Sequence, residues 1–138
     1  MRVTAHVVID ASPEVVFRAI SDEREVLRHF PITGARIEAR RGGELTLTGR
    51  RDGTLVTDYG RVTTWEPHRE FAYRFWSPAH GTPRRLETEV ATRYTIEAVA
   101  SGTRLSVEQS HLPTAEMAET MEVVWPMLLG DLKEALEG

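Results

Sequence analysis

Apolar and polar residues change their spacing several times along this chain, and each change predicts an element. Val3, Ala5, Val7 and Ile9 alternate with Arg2, Thr4, His6 and Asp10, the period of a half-buried strand. The period then lengthens. Ser12 and Pro13 suit the cap and first position of a helix, with Val16, Phe17 and Ile20 facing inward. Ser21-Asp22 offers a second cap, and residues 23–30 predict another short helix carrying Val26, Leu27 and Phe30 and ended by Pro31. Period two returns with strands predicted over 36–40, 44–48, 56–65, 70–76, 87–99 and 103–110. Gly42-Gly43, Asp52-Gly53, Glu66-Pro67 and Ser101-Gly102 separate them, and Asp52-Gly53 is a strong hairpin signal. Residues 77–85, with Pro78, Gly81 and Pro83, predict a mobile loop.

The last stretch, 114–136, has the longest helical period. Met117, Met121, Val124, Trp125, Leu128, Leu132 and Leu136 stack on one side, with Glu119, Glu122, Lys133 and Glu137 opposite. Pro126 removes a helical hydrogen bond and crowds the carbonyl of Glu122, so a kink or broken turn is predicted over 122–125. Val123 and Met127 lie off the apolar arc and mark either a second contact, such as a homodimer face, or ordinary isolated exposed residues.

The order is strand, two short helices, a run of strands, long helix. Strands joined by short turns pair antiparallel. A sheet of this length twists and curls, and an amphipathic helix needs such a surface to lie on. The fold class expected is α+β: an antiparallel sheet of about six to seven strands gripping a long C-terminal helix, as a single domain over residues 1–138. Sheet and helix can leave a cavity between them.

Composition narrows the function. The apolar fraction of 41% supports a sizeable core, and a charged fraction of 28% does not suit a disordered chain. A net charge of −4 argues against a nucleic-acid partner. The absence of cysteine excludes disulfides and thiol chemistry. No apolar run approaches the ~20 residues of a membrane span, and the N-terminus lacks a signal-peptide pattern, so a cytoplasmic location is expected.

Candidate chemistry is sparse. His6, His29, His68, His80 and His111 fall in no zinc spacing, so no metal or cofactor is expected. Neither Gly-x-Ser-x-Gly nor a phosphate-binding glycine loop occurs. His111 alone follows the strand parity of Leu105, Val107 and Gln109. Tyr73, Phe75, Tyr94, Trp125 and Trp65 should converge between sheet and helix, either as packed core or as the wall of a small-molecule pocket. In the pocket reading, Tyr73, Phe75, Thr92, Tyr94, Gln109, Met117, Met121 and Trp125 contact the ligand, and Thr64 joins by parity. Acid–base candidates are Tyr73, Tyr94 and His111.

Several ordered segments carry a family resemblance. They include residues 9–17 (Ile-Asp-Ala-Ser-Pro-Glu-Val-Val-Phe), Asp22-Glu23 leading to Arg28-His29-Phe30, and Tyr59-Gly60-Arg61-Val62. Glu66-Pro67, Phe71 to Trp76, Gly102 to Leu105, Gln109 to Pro113 and Trp125 complete the set. This order resembles the START and birch-pollen-allergen-like superfamily (SRPBCC), and within it the family named for the activator of heat-shock protein 90 ATPase homologue. One departure is His29, where many relatives carry tryptophan. The resemblance implies a helix-grip fold and a cavity protein, among relatives that include ligand carriers, cyclases or dehydratases, and co-chaperones. The expected function is therefore non-enzymatic binding of a small apolar or aromatic molecule. The alternatives are a cyclase-like or dehydratase-like enzyme, or a stress-response module that binds a chaperone.

Overall fold

The computed structural model describes residues 1–138. It contains β1 (Val3–Ile9), α1 (Pro13–Ser21), α2 (Glu23–His29), β2 (Gly34–Ile37), β3 (Glu44–Arg51), β4 (Thr54–Glu66), β5 (Glu70–Trp76), β6 (Val90–Val99), β7 (Gly102–Ser110) and α3 (Ala115–Glu137). The seven strands form one antiparallel sheet in the order β1-β7-β6-β5-β4-β3-β2. The architecture is the α+β helix grip expected from the pattern.

Local chemistry explains the boundaries. Ser12 Oγ accepts the Val15 N–H at 3.2 Å, and Asp22 Oδ2 accepts those of Arg24 and Glu25 at 3.2 Å, so both short helices begin at side-chain caps. Thr114 Oγ1 caps α3 by accepting the Met117 N–H at 3.1 Å. Asp52 (φ 51°) and Gly53 (φ 81°) make the tight β3–β4 turn with positive φ at both central positions. Leu86–Thr88 form a 3₁₀ turn, so residues 87 and 88, expected to open the strand, lie outside it. There Thr88 Oγ1 accepts the Arg85 N–H at 3.1 Å and donates to the Pro83 carbonyl at 2.6 Å. Such local side-chain bonds compete with the sheet ladder.

The pairing defines the inner face. Leu45 lies opposite Gly60, Leu47 opposite Asp58, and Val62 opposite Tyr73. A bulge between Val62 and Thr64 then shifts the register, pairing Thr64 with Ala72 and Trp65 with Phe71. The extra residue reverses the parity of everything after it. Trp65 therefore faces inward, against Phe17 at 5.1 Å and Phe71 at 5.6 Å between centroids, while Thr64 turns away from the interior.

α3 closes the core at its C-terminal half. Trp125, Leu129 and Leu132 are its buried residues, and Met121, Leu128 and Leu136 pack at the margin. Leu129 was not part of the predicted apolar arc, so the buried stripe is turned slightly from it. Lys133 Nζ donates to the Val8 carbonyl at 2.8 Å, and Glu137 Oε2 accepts the Asp10 N–H at 2.8 Å. These contacts tie the helix end to the end of β1. The helix runs unbroken through Pro126, and no turn is lost. Both Pro126 and Glu122 are exposed, so the carbonyl that forfeits its partner faces water. Val123 and Met127 are exposed at 72% and 54%.

Candidate functional site

The inner face of the sheet, α1 and α2 on one side and Trp125 on the other form a partly open cavity of about 80 Å³. Ile20, Val26, Phe30 and Ile32 line it from the helical side. Ile37, Leu45, Leu47, Phe71, Tyr73 and Tyr94 line it from the sheet, and Trp125 from α3. Aromatic contacts make the wall nearly continuous. Phe71 and Tyr94 stack at 6.2 Å, Phe71 and Tyr73 lie at 5.5 Å, and the Tyr94 edge meets Trp125 at 5.8 Å.

A chain of polar side chains is buried behind this wall. Trp125 Nε1 donates to Gln109 Oε1 at 3.1 Å, and Gln109 Nε2 donates to Thr92 Oγ1 at 3.2 Å. The register brings them together, since Thr92 pairs with both Tyr73 and Gln109 across the sheet. Burial pushes the Tyr73 phenol up to about 12, partly opposed by its polar contact with Thr92. Burial also raises Tyr94 well above the ordinary phenol range, and Tyr73 beside it adds to the effect. Both hydroxyls therefore keep their protons at neutral pH. They can donate hydrogen bonds to a guest, and they are poorly suited to removing a proton from one.

The predicted residues separate into three groups. Tyr73, Tyr94 and Trp125 line the cavity, while Phe75, Thr92 and Gln109 are buried beside or behind it. Met121 packs against the core margin without reaching the cavity, and Met117 is only half-buried. His111 does not belong with them. β7 ends at Ser110, and His111 adopts a left-handed conformation (φ 62°) that leaves it exposed. Parity fails there because the backbone is no longer extended.

The sequence reading missed the helical side of the wall, since period alone does not say which short helix lies over which strand. It also missed Asp58, which is buried on the inner face at 8% exposure and paired with Arg51 through Nη2–Oδ2 at 3.0 Å. The signal was available. Counting from the Asp52-Gly53 turn places Asp58 opposite Leu47, on the apolar side. His80 was expected in a mobile loop, yet its ring lies 5.8 Å from Phe75. Burial lowers the His80 pKa, with the nearby Asp58 charge acting against that shift.

A curled antiparallel sheet gripping one long C-terminal helix is the fold of the START-like class of domains. The chain belongs to the family described as Activator of Hsp90 ATPase homolog 1-like protein, whose model matches residues 10–137. Among solved structures, ChR145 from Cytophaga hutchinsonii is similar over 99% of this chain and 94% of its own, at 22% identity and a TM-score of 0.84. The Aha1 dimer from Colwellia psychrerythraea is similar over 99% and 96%, at 20% identity and 0.75. DynU16, a protein in the dynemicin biosynthetic locus, matches 99% of this chain but only 47% of its own, at 21% identity and 0.78. No curated protein matches the chain significantly. No helix is long and apolar enough to cross a membrane.

Proposed function

We propose that the protein binds a small apolar or aromatic molecule in the cavity beside Trp125. The observation that carries this reading is the cavity itself, walled by apolar and aromatic groups and backed by the Trp125–Gln109–Thr92 chain. Apolar walls with a few fixed polar groups are the usual make-up of a small-molecule site. Membership of a cavity-forming fold class supports the reading, as does the likeness to a protein in a natural-product locus.

The volume sets a condition. Cavities of about 150 Å³ take up benzene, roughly twice the space present here. A ring-sized guest must therefore displace part of the wall or protrude from its open side. An enzymatic role for Tyr73 or Tyr94 as a base has no such support, because burial holds both protonated.

Titration of the full chain with toluene, followed by ¹H–¹⁵N spectra, tests the proposal. The Trp125 indole N–H signal should shift and saturate, and Val26→Phe, which fills the cavity, should abolish the shift. No saturable change at Trp125, or an unchanged response in Val26→Phe, would sink the reading.

A further inference from the structure

We infer that the inner face carries a second, polar subsite formed by Asp58 and His80 that takes a hydroxyl group, so that the ligand is an alcohol or a phenol rather than a hydrocarbon. The inference rests on the cavity reading above and specifies the chemical class of its occupant.

Position comes first. Asp58 lies opposite Leu47 on the inner face, and Leu47 is part of the cavity wall. From the cavity, a row of rings leads in the same direction: Phe71 to Tyr73 at 5.5 Å, Tyr73 to Phe75 at 5.9 Å, Phe75 to His80 at 5.8 Å. Gly60 allows this row to lie close to β4. A Cβ there would stand 2.1 Å from the Arg74 carbonyl oxygen and 3.0 Å from Phe75 Cβ. Asp58 and His80 thus lie beyond the Phe75 end of this packed row, near enough that the Asp58 charge acts on the His80 ring.

Hydrogen-bond valence comes second. Arg51 occupies Asp58 Oδ2 at 3.0 Å, and Asp58 Oδ1 is buried with no partner in the protein. His80 Nδ1 is likewise buried and unpartnered. Buried polar atoms are nearly always hydrogen-bonded, and an unmet one is destabilising. Two such atoms at the end of one aromatic row form a site that a guest can complete.

Charge and proton inventory then select the guest. Arg51 already neutralises Asp58, so the pair does not call for an ammonium group. An ionised carboxylate guest has no proton to donate to Asp58 Oδ1. A ketone could not donate to Asp58 Oδ1, and a hydrocarbon would leave both atoms unmet. A hydroxyl donates its proton to the carboxylate oxygen and accepts from an imidazole N–H, which matches both requirements at once.

Phenol and toluene test this, since they differ only in hydroxyl against methyl. Each is titrated into the wild-type full chain and into His80→Phe, which keeps a ring on Phe75 but removes the nitrogens. Wild type should bind phenol at least tenfold more tightly than toluene. His80→Phe should erase that preference by weakening phenol alone, and Asp58→Asn should do the same if it folds. Equal wild-type affinities would overturn the inference while leaving the apolar cavity standing. So would a phenol preference indifferent to His80→Phe, which would assign the hydroxyl to Tyr73 or Thr92 and leave water alone at Asp58. If neither compound binds, the cavity reading and this inference fall together.

Discussion

The two halves of α3 do opposite work. Leu129 and Leu132 in the C-terminal half are almost wholly buried, and Lys133 and Glu137 tie that end to Val8 and Asp10. Between Ala115 and Val124 no residue is buried, and Met117 and Met121 lie half-covered. Trp125 marks the boundary, with its ring in the cavity wall and its N–H fixed to Gln109. One helix thus provides a rigid clamp and a lightly packed end. A segment with few buried contacts opens at lower free energy than the global fold, so the N-terminal half can move without the domain unfolding.

The contrast can be broken most directly at Leu129. Leu129→Ala should lower stability by about 3 kcal/mol in urea unfolding, because the removed side chain leaves a cavity in closed packing. A loss under about 1 kcal/mol would show that the clamp is not where burial places it. The next effect concerns the cavity wall. The unfolded chain releases a tyrosine proton near 10, while folded Tyr73 holds it to about 12. Its contribution is therefore fully present below pH 10 and lost as pH rises through about 12, at up to roughly 1.4 kcal/mol per pH unit. Tyr73→Phe should flatten that slope, and an ordinary phenol titration in wild type would show that water already reaches the wall.

Met121→Ala should lower stability by less than about 1 kcal/mol, as expected for a half-covered site. It should nevertheless speed amide exchange over residues 115–124 while leaving residues 129–136 unchanged. Uniform acceleration would mean that the helix opens as one unit. The smallest effect belongs to the C-terminal tie. The hydrogen bond from Lys133, followed by that from the Asp10 N–H, holds the Glu137 carboxyl below its ordinary 4.5. The stabilisation is present above that value and is lost as pH falls through the folded one. Wild type should thus lose a small advantage over Glu137→Gln below about pH 4.5. Identical acid profiles would remove Glu137 from the clamp.

Much of this arrangement was legible in the residue pattern, and the failures share a cause. The caps at Ser12 and Asp22 and the turn at Asp52-Gly53 depend on neighbours within a few residues, and local chemistry places them. β5 was read to its ends because Phe71, Tyr73 and Phe75 alternate without interruption. Trp65 and Thr64 were ambiguous because a bulge inserts its extra residue without a composition signal. His111 was misplaced because parity was extended one residue beyond an extended backbone. Asp58 escaped notice, and His80 was assigned to a mobile loop, because each is ordinary in its own segment. Only the pairing of β3 with β4 and the fold of residues 77–80 onto Phe75 give them significance. Half of the candidate site, the row of tyrosines and Trp125, follows from strand period. The other half depends on contacts between distant segments.

The order β1-β7 has a consequence for synthesis. Val3 pairs with Gln109, and the clamp that seals β1 comes from residues 129–137. As the chain leaves the ribosome, its first strand must wait for nearly all the rest before it has a neighbour. The central strands can form hairpins during that interval, while β1 stays unpaired. Closure of the cavity is therefore a late event, triggered when the last helix emerges and ties the beginning of the chain to its end.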